Sequence, residues 1–143
     1  MGKTNDILNA YETSLAAETG RQTIISAATP LELSKRSGVR REIFALKITK
    51  SSVATYTEAW RATDERPFFE IMCFVGTSDS HTDRDNKYKL LLDMCDEVKD
   101  WALGIANENI GVNFTKYLGA VNTVDDQPGF YARTLRLQFE QNL

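Results

Sequence analysis

Histidine occurs once in these 143 residues, cysteine twice and proline three times. Each scarcity excludes something. A serine nucleophile needs a GxSxG turn or a histidine partner, and the sequence supplies neither. Neither GxxxxGK[ST] nor GxGxxG is present, so no phosphate cradle is expected. His81 stands alone in a polar stretch and reads as an exposed ring. Together with Asp79, Asp83 and Asp85 it could hold a metal. That stretch, however, lacks the central glycine and the following bidentate acid of a calcium loop. The acids read instead as a solvated group that also caps a helix. No cofactor and no catalytic residue is expected, so the chain does not read as an enzyme.

The two cysteines, Cys73 and Cys95, form no CxxC or other ligand spacing, and both lie among apolar residues. A buried free thiol behaves as a small hydrophobe, and the expectation is a reduced, intracellular protein. No run approaches the roughly 20 apolar residues of a membrane span. The opening MGKTNDILNAYETSL has no apolar core, so a signal peptide is not expected.

What is present is an ordinary globular composition, 42% hydrophobic and 26% charged, with a net charge of −3. One domain over residues 1–143 is the default, long enough to bury a core without disulfides or a metal. The charge is unevenly spread. Residues 35–50 carry Lys35, Arg36, Arg40, Arg41, Lys47 and Lys50 against Glu42, whereas residues 51–85 carry seven acids against Arg61, Arg66 and Arg84. Adjacent blocks of opposite sign can attract a partner or another copy; they can also be two solvated faces. The basic block has no interleaved aromatics, which argues against a base-stacking nucleic-acid surface.

The dominant element is Asp85 to Ile105, where Tyr88, Leu91, Leu92, Cys95, Val98, Ala102 and Ile105 recur at steps of three and four. This spacing predicts an amphipathic helix capped by Asp83 or Asp85. Asp93, Asp96, Glu97 and Asp100 fall on its outer side, within reach of Lys89 and Lys99. A shorter helix is expected over residues 4–19, with Ile7, Ala10, Tyr11 and Leu15 inward and Gly20 closing it. Arg21 to Thr29 reads as a short strand, Pro30 as a stop, and residues 30–38 as a basic loop. Val39 to Lys50 alternates as a strand. Ser51-Ser52 reads as a turn, and Val53 to Trp60 as a returning arm or, around Thr57 to Arg61, a helical turn. Ala62 to Arg66 reads as turn, and PFFEIMCFVG from Pro67 as a central strand. Gly76 to Asp85 reads as a ten-residue polar loop, long enough to be a working loop. Ile110 to Val124 supports a strand bent at Gly119. Asp125 to Gly129 is turn by composition. Phe130 to Glu140 alternates cleanly and should close an antiparallel hairpin.

The expected fold is α+β: an antiparallel or mixed β-sheet with the long helix on one face and a short N-terminal helix. The order of apolar strand, polar loop, long helix, strand and closing strand, after a short helix and a meander, resembles the tail terminator and tail-completion proteins of long-tailed bacteriophages. The resemblance is architectural and covers most of the chain. It implies a ring, commonly a hexamer, that caps the tail tube, stops its growth and offers the surface that joins the tail to the head. The implied partners are further copies of the chain, the tail tube protein and a head-completion or connector protein. DNA would pass only as cargo, and the location would be the tail or neck of a virion assembled in host cytoplasm. Lys35, Arg36, Arg40, Arg41, Asp79, His81 and Asp83 are the candidate contact residues.

Two alternatives belong to other classes. One is a small cytoplasmic binding module that uses the open face of the sheet as a groove for a ligand or protein. The other is a minor enzyme subunit or metal-assisted hydrolase centred on His81.

Overall fold

The computed structural model describes residues 3–36, 41–56, 62–77, 80–105, 115–121, 125–127, 129–139 and 141–142. In chain order they form α1 (Lys3–Thr19), β1 (Gln22–Ile25), α2 (Pro30–Ser34), β2 (Glu42–Tyr56), β3 (Ala62–Gly76), α3 (His81–Ile105), β4 (Thr115–Ala120), β5 (Asp125–Gln127), β6 (Phe130–Phe139) and β7 (Gln141–Asn142). Among the described residues the strands make one seven-stranded sheet in the order β1-β2-β3-β6-β4, with β5 beside β6 and β7 beside β3. β1 runs parallel to β2, and the other pairings are antiparallel. The fold is α+β with a mixed sheet, as the sequence implies.

The two long helices cover one face of this sheet. In α1, Ile7, Leu8, Tyr11 and Leu15 are buried at steps of three and four. Gly20 ends the helix at φ 69, its N–H donating to the Ala16 carbonyl at 2.9 Å, the left-handed cap that glycine adopts without strain. α3 starts one turn earlier than expected. Ser80 caps it, its Oγ accepting from the Asp83 N–H at 3.4 Å and its carbonyl from the Arg84 N–H at 2.9 Å. Asp83 is therefore in the first turn, and the ten-residue loop contracts to the few residues before His81. The buried stripe is Leu91, Met94, Cys95, Val98, Trp101 and Ala102. Met94 and Trp101 occupy core positions, whereas Tyr88 is 42% exposed and meets Tyr131 edge-on at 5.8 Å.

Tyr11 is the centre of the core. It stacks on Phe69 at 4.8 Å and takes Trp101 and Phe139 against its ring at 5.6 and 5.8 Å. Such pairs contribute about 0.5–1.5 kcal/mol each beyond the area they bury. The Trp101 indole N–H reaches the Ser14 hydroxyl at 3.0 Å, joining α3 to α1.

Residues 30–34 are helical where a loop is expected. Thr29 caps this turn: its Oγ1 accepts from the Glu32 N–H at 3.3 Å and donates to the Glu32 carboxylate at 3.2 Å. Pro30 opens the helix instead of stopping it, at a position where no N–H is needed. Leu33 is thereby buried against the second face of the sheet.

β2 and β3 form one long hairpin. Ser51-Ser52 is not a turn; the pairing only slips between Ile48 and Ser52, and Ala62 to Arg66 pairs with Val53 to Tyr56. The backbone ladder continues through this polar stretch, and β7 pairs with β3 at Asp64 and Glu65. Pro67 lies inside β3 rather than at its start. The expected helical turn at Thr57 to Arg61 and the expected strand start at Ile110 lie outside the described residues. Asp125 to Gln127 is strand rather than turn, and the tight reversal falls at Gly129, φ 97. β4 and β5 run along the outer edge of β6, and β4 is bulged at Gly119 as expected.

Candidate functional site

The second face of the sheet is covered at one end only. Its residues fall in rows across β2, β3 and β6. Ile43, Phe74 and Ala132 form the first, closed over by Leu33 of α2 and by Phe130, which stacks on Phe74 at 5.5 Å. Ala45, Met72 and Thr134 form the next, and Lys47, Glu70 and Arg136 the third. Phe68, Gln138 and Lys116 make the last.

The short side chains of Ala45 and Ala132 leave a hollow of about 340 Å³, floored by them and by Met72 and walled by Thr29, Pro30 and Val121. Lys47 and Glu70 line one end of it. The charged row is a linked triad: the Lys47 ammonium is 3.7 Å from one Glu70 oxygen and the Arg136 guanidinium 3.4 Å from the other. Arg136 also lies over the Phe68 ring, 5.9 Å from its centroid, a cation–π contact. Glu70 is thus neutralised on both sides, and the row keeps one net positive charge.

The triad changes the meaning of the charge blocks. Lys47 belongs to the basic block and Glu70 to the acidic one, and the hairpin places them opposite each other in the same chain. On the helix side, Glu97 takes neither Lys89 nor Lys99; it forms a two-pronged ion pair with Arg21, at 2.7 and 3.2 Å. The Glu97 carboxylate holds the Arg21 guanidinium above its usual pKa, and burial opposes this.

The residues proposed from sequence as contacts distribute as follows. Lys35 is the exposed C-cap of α2. Arg36 donates to the Ser26 hydroxyl at 3.1 Å. Arg36 and Arg41 meet Leu33, Phe74 and Gly76 around a second, smaller hollow of about 150 Å³. The Arg41 carbonyl accepts from the Gly76 N–H at 2.6 Å. His81 and Asp83 are first-turn residues of α3 and not loop residues. Arg40 and Asp79 lie outside the described residues. Among the described residues no group of three or more His, Cys, Asp or Glu side chains could hold a metal ion, and no helix is long and apolar enough to cross a membrane.

One cluster escapes sequence reasoning altogether. Cys73 on β3 and Cys95 on α3 are both buried in the helix-side core, close enough to influence each other's ionisation, with the Arg133 charge on β6 acting on both. Burial pushes the Cys73 thiol up; the neighbouring Cys73, helped by the Arg133 charge, draws Cys95 down. A separation of 22 positions in sequence carries no pairing signal, so nothing short of the fold could join them.

No protein-family model matches the sequence, and no curated protein matches it at a level that carries an argument.

Proposed function

We propose that this chain is a structural subunit that associates with copies of itself into a ring, in the manner of the phage tail terminators it resembles in architecture. The ring would cap a tail tube, end its polymerisation and offer the head-joining surface, with DNA passing through as cargo and the virion tail or neck as its location. The observation that carries this is the uncovered half of the second sheet face, with its charged triad and adjoining hollow. An assembling subunit needs such an uncovered face. The outer edge of β2 adds to it. β1 pairs only with Ile43 to Leu46, and among the described residues no strand continues alongside β2 beyond that point. An open edge is a template for pairing between chains.

Imaging of the purified protein at high concentration tests this. Closed rings of uniform diameter are the expected result; compact single particles at every concentration would contradict it.

A ligand-binding module is the second candidate, favoured by one observation. The hollow at Ala45, Met72 and Ala132 is near the lower size limit of small-molecule sites and mixes an apolar floor with Lys47 and Glu70 at its rim. A saturable rise in melting temperature with one member of a small-molecule panel would support it.

A further inference from the structure

We infer that the occupant of the open sheet face is the outer stripe of α3 of a second copy, in a head-to-tail contact. This rests on the self-assembly proposed above and assigns its two surfaces. Among the described side chains of the third and fourth rows, Lys47, Lys116 and Arg136 stand against Glu70, so these rows are net positive. On α3, Asp93, Asp96, Asp100 and Leu103 are all exposed, with Leu103 at 56%. Their spacing of three and four places them on one stripe, turned away from the buried Leu91, Val98 and Trp101. Lys89, one turn before Asp93, and Lys99 at the border leave the stripe net negative by one charge.

The spacings match as well as the signs. Asp93 and Asp100 are two turns apart, roughly 10 Å along the helix. Lys47 and Arg136 sit in one row on strands two places apart, also roughly 10 Å. With Asp93 over Lys47 and Asp100 over Arg136, Leu103 lies one turn further along the row, beside Gly119 of β4, where it adds an apolar contact. The two surfaces are on opposite layers of the molecule. The contact is therefore heterologous, and repeats of it close into a ring when the rotation per subunit allows.

Charge reversal tests the assignment. Sedimentation velocity on Asp100→Arg and on Arg136→Glu, each first shown to melt like wild type, should show association weakened about tenfold or more. The double variant D100R/R136E carries both reversals, so each copy again offers opposite charges, and its association should return to within a few-fold of wild type. Leu103→Asp, which leaves the triad intact, should weaken association as well. Single variants that associate as wild type does would overturn this interface while leaving self-assembly standing. A double variant no better than its weaker single parent would also overturn it. A wild-type chain that stays monomeric at low salt and the highest attainable concentration would overturn both the interface and the assembly behind it, and give the open sheet face to a different occupant.

Discussion

The phenol of Tyr11 lies 2.6 Å from the Thr115 hydroxyl, a buried hydrogen bond between α1 and β4 across 104 positions of sequence. It ties the N-terminal helix to the strand at the far edge of the sheet. Tyr11→Phe keeps the ring stack on Phe69 and leaves the Thr115 hydroxyl without this partner. The expected loss at neutral pH is about 1–2 kcal/mol, read from urea unfolding. Burial also raises the Tyr11 pKa well above its ordinary 10.0, the bond to Thr115 offsetting this only in part. Below about pH 10 the phenol is neutral in both states and the full stability is present. Above that, the unfolded chain ionises and the folded one does not, so stability falls as pH rises. The disadvantage of the phenylalanine variant should therefore shrink by about 1.4 kcal/mol per pH unit above 10. A constant difference from pH 7 to 11 would contradict the buried neutral phenol.

The Arg21–Glu97 pair is bidentate but partly solvated, with side chains 21% and 35% exposed. Solvent screening limits it, so a double-mutant cycle with Arg21→Met and Glu97→Gln should return about 0.5–1 kcal/mol of coupling. That coupling should diminish in 1 M salt. Coupling that is absent at low salt would mean the pair contributes nothing to holding the start of β1 against α3.

Gly119 forms the bulge in β4 at φ 103, with nothing within 4 Å of the place where a Cβ would stand. Gly119→Ala therefore tests backbone strain free of any clash. The expected cost is about 1–2 kcal/mol. An unchanged melting temperature would show that the bulge relaxes without penalty.

Much of this fold is written in periodicity. The strides of three and four in α1 and α3 and the alternation of Phe130 to Phe139 are visible without the structure, because each buries one side against a single sheet face. What escapes depends on particular local bonds or distant partners. α2 is only five residues long, and its signal is the short pattern Thr29-Pro30-Leu31-Glu32. Ser80 displaces Asp83 as the cap of α3 through one hydroxyl. The parallel pairing of β1 with β2 follows from a crossover carrying α2, which composition does not encode. The candidate surface is less legible still. Its triad joins Lys47, Glu70 and Arg136 from three strands, and only their register sets them in one row.

The thiol pair yields a chemical prediction. Cys95 has the lowered pKa and the greater exposure, Cys73 neither. Limited iodoacetamide treatment of the native protein at pH 8 should label Cys95 before Cys73, since the thiolate is the nucleophile. Arg133→Met should slow that labelling by removing the charge that favours the thiolate. Earlier labelling of Cys73 in peptide maps would contradict the assignment.

The central claim is that the open sheet face exists to join copies of this chain. The measurement that meets it most directly is the mass of the wild-type protein by sedimentation equilibrium, across concentration, at low and high salt. The account predicts a mass that climbs with concentration to one closed multiple of 16.1 kDa, reached at lower concentration in low salt, where charge attraction is least screened. A mass that stays at the monomer value under every condition would contradict it.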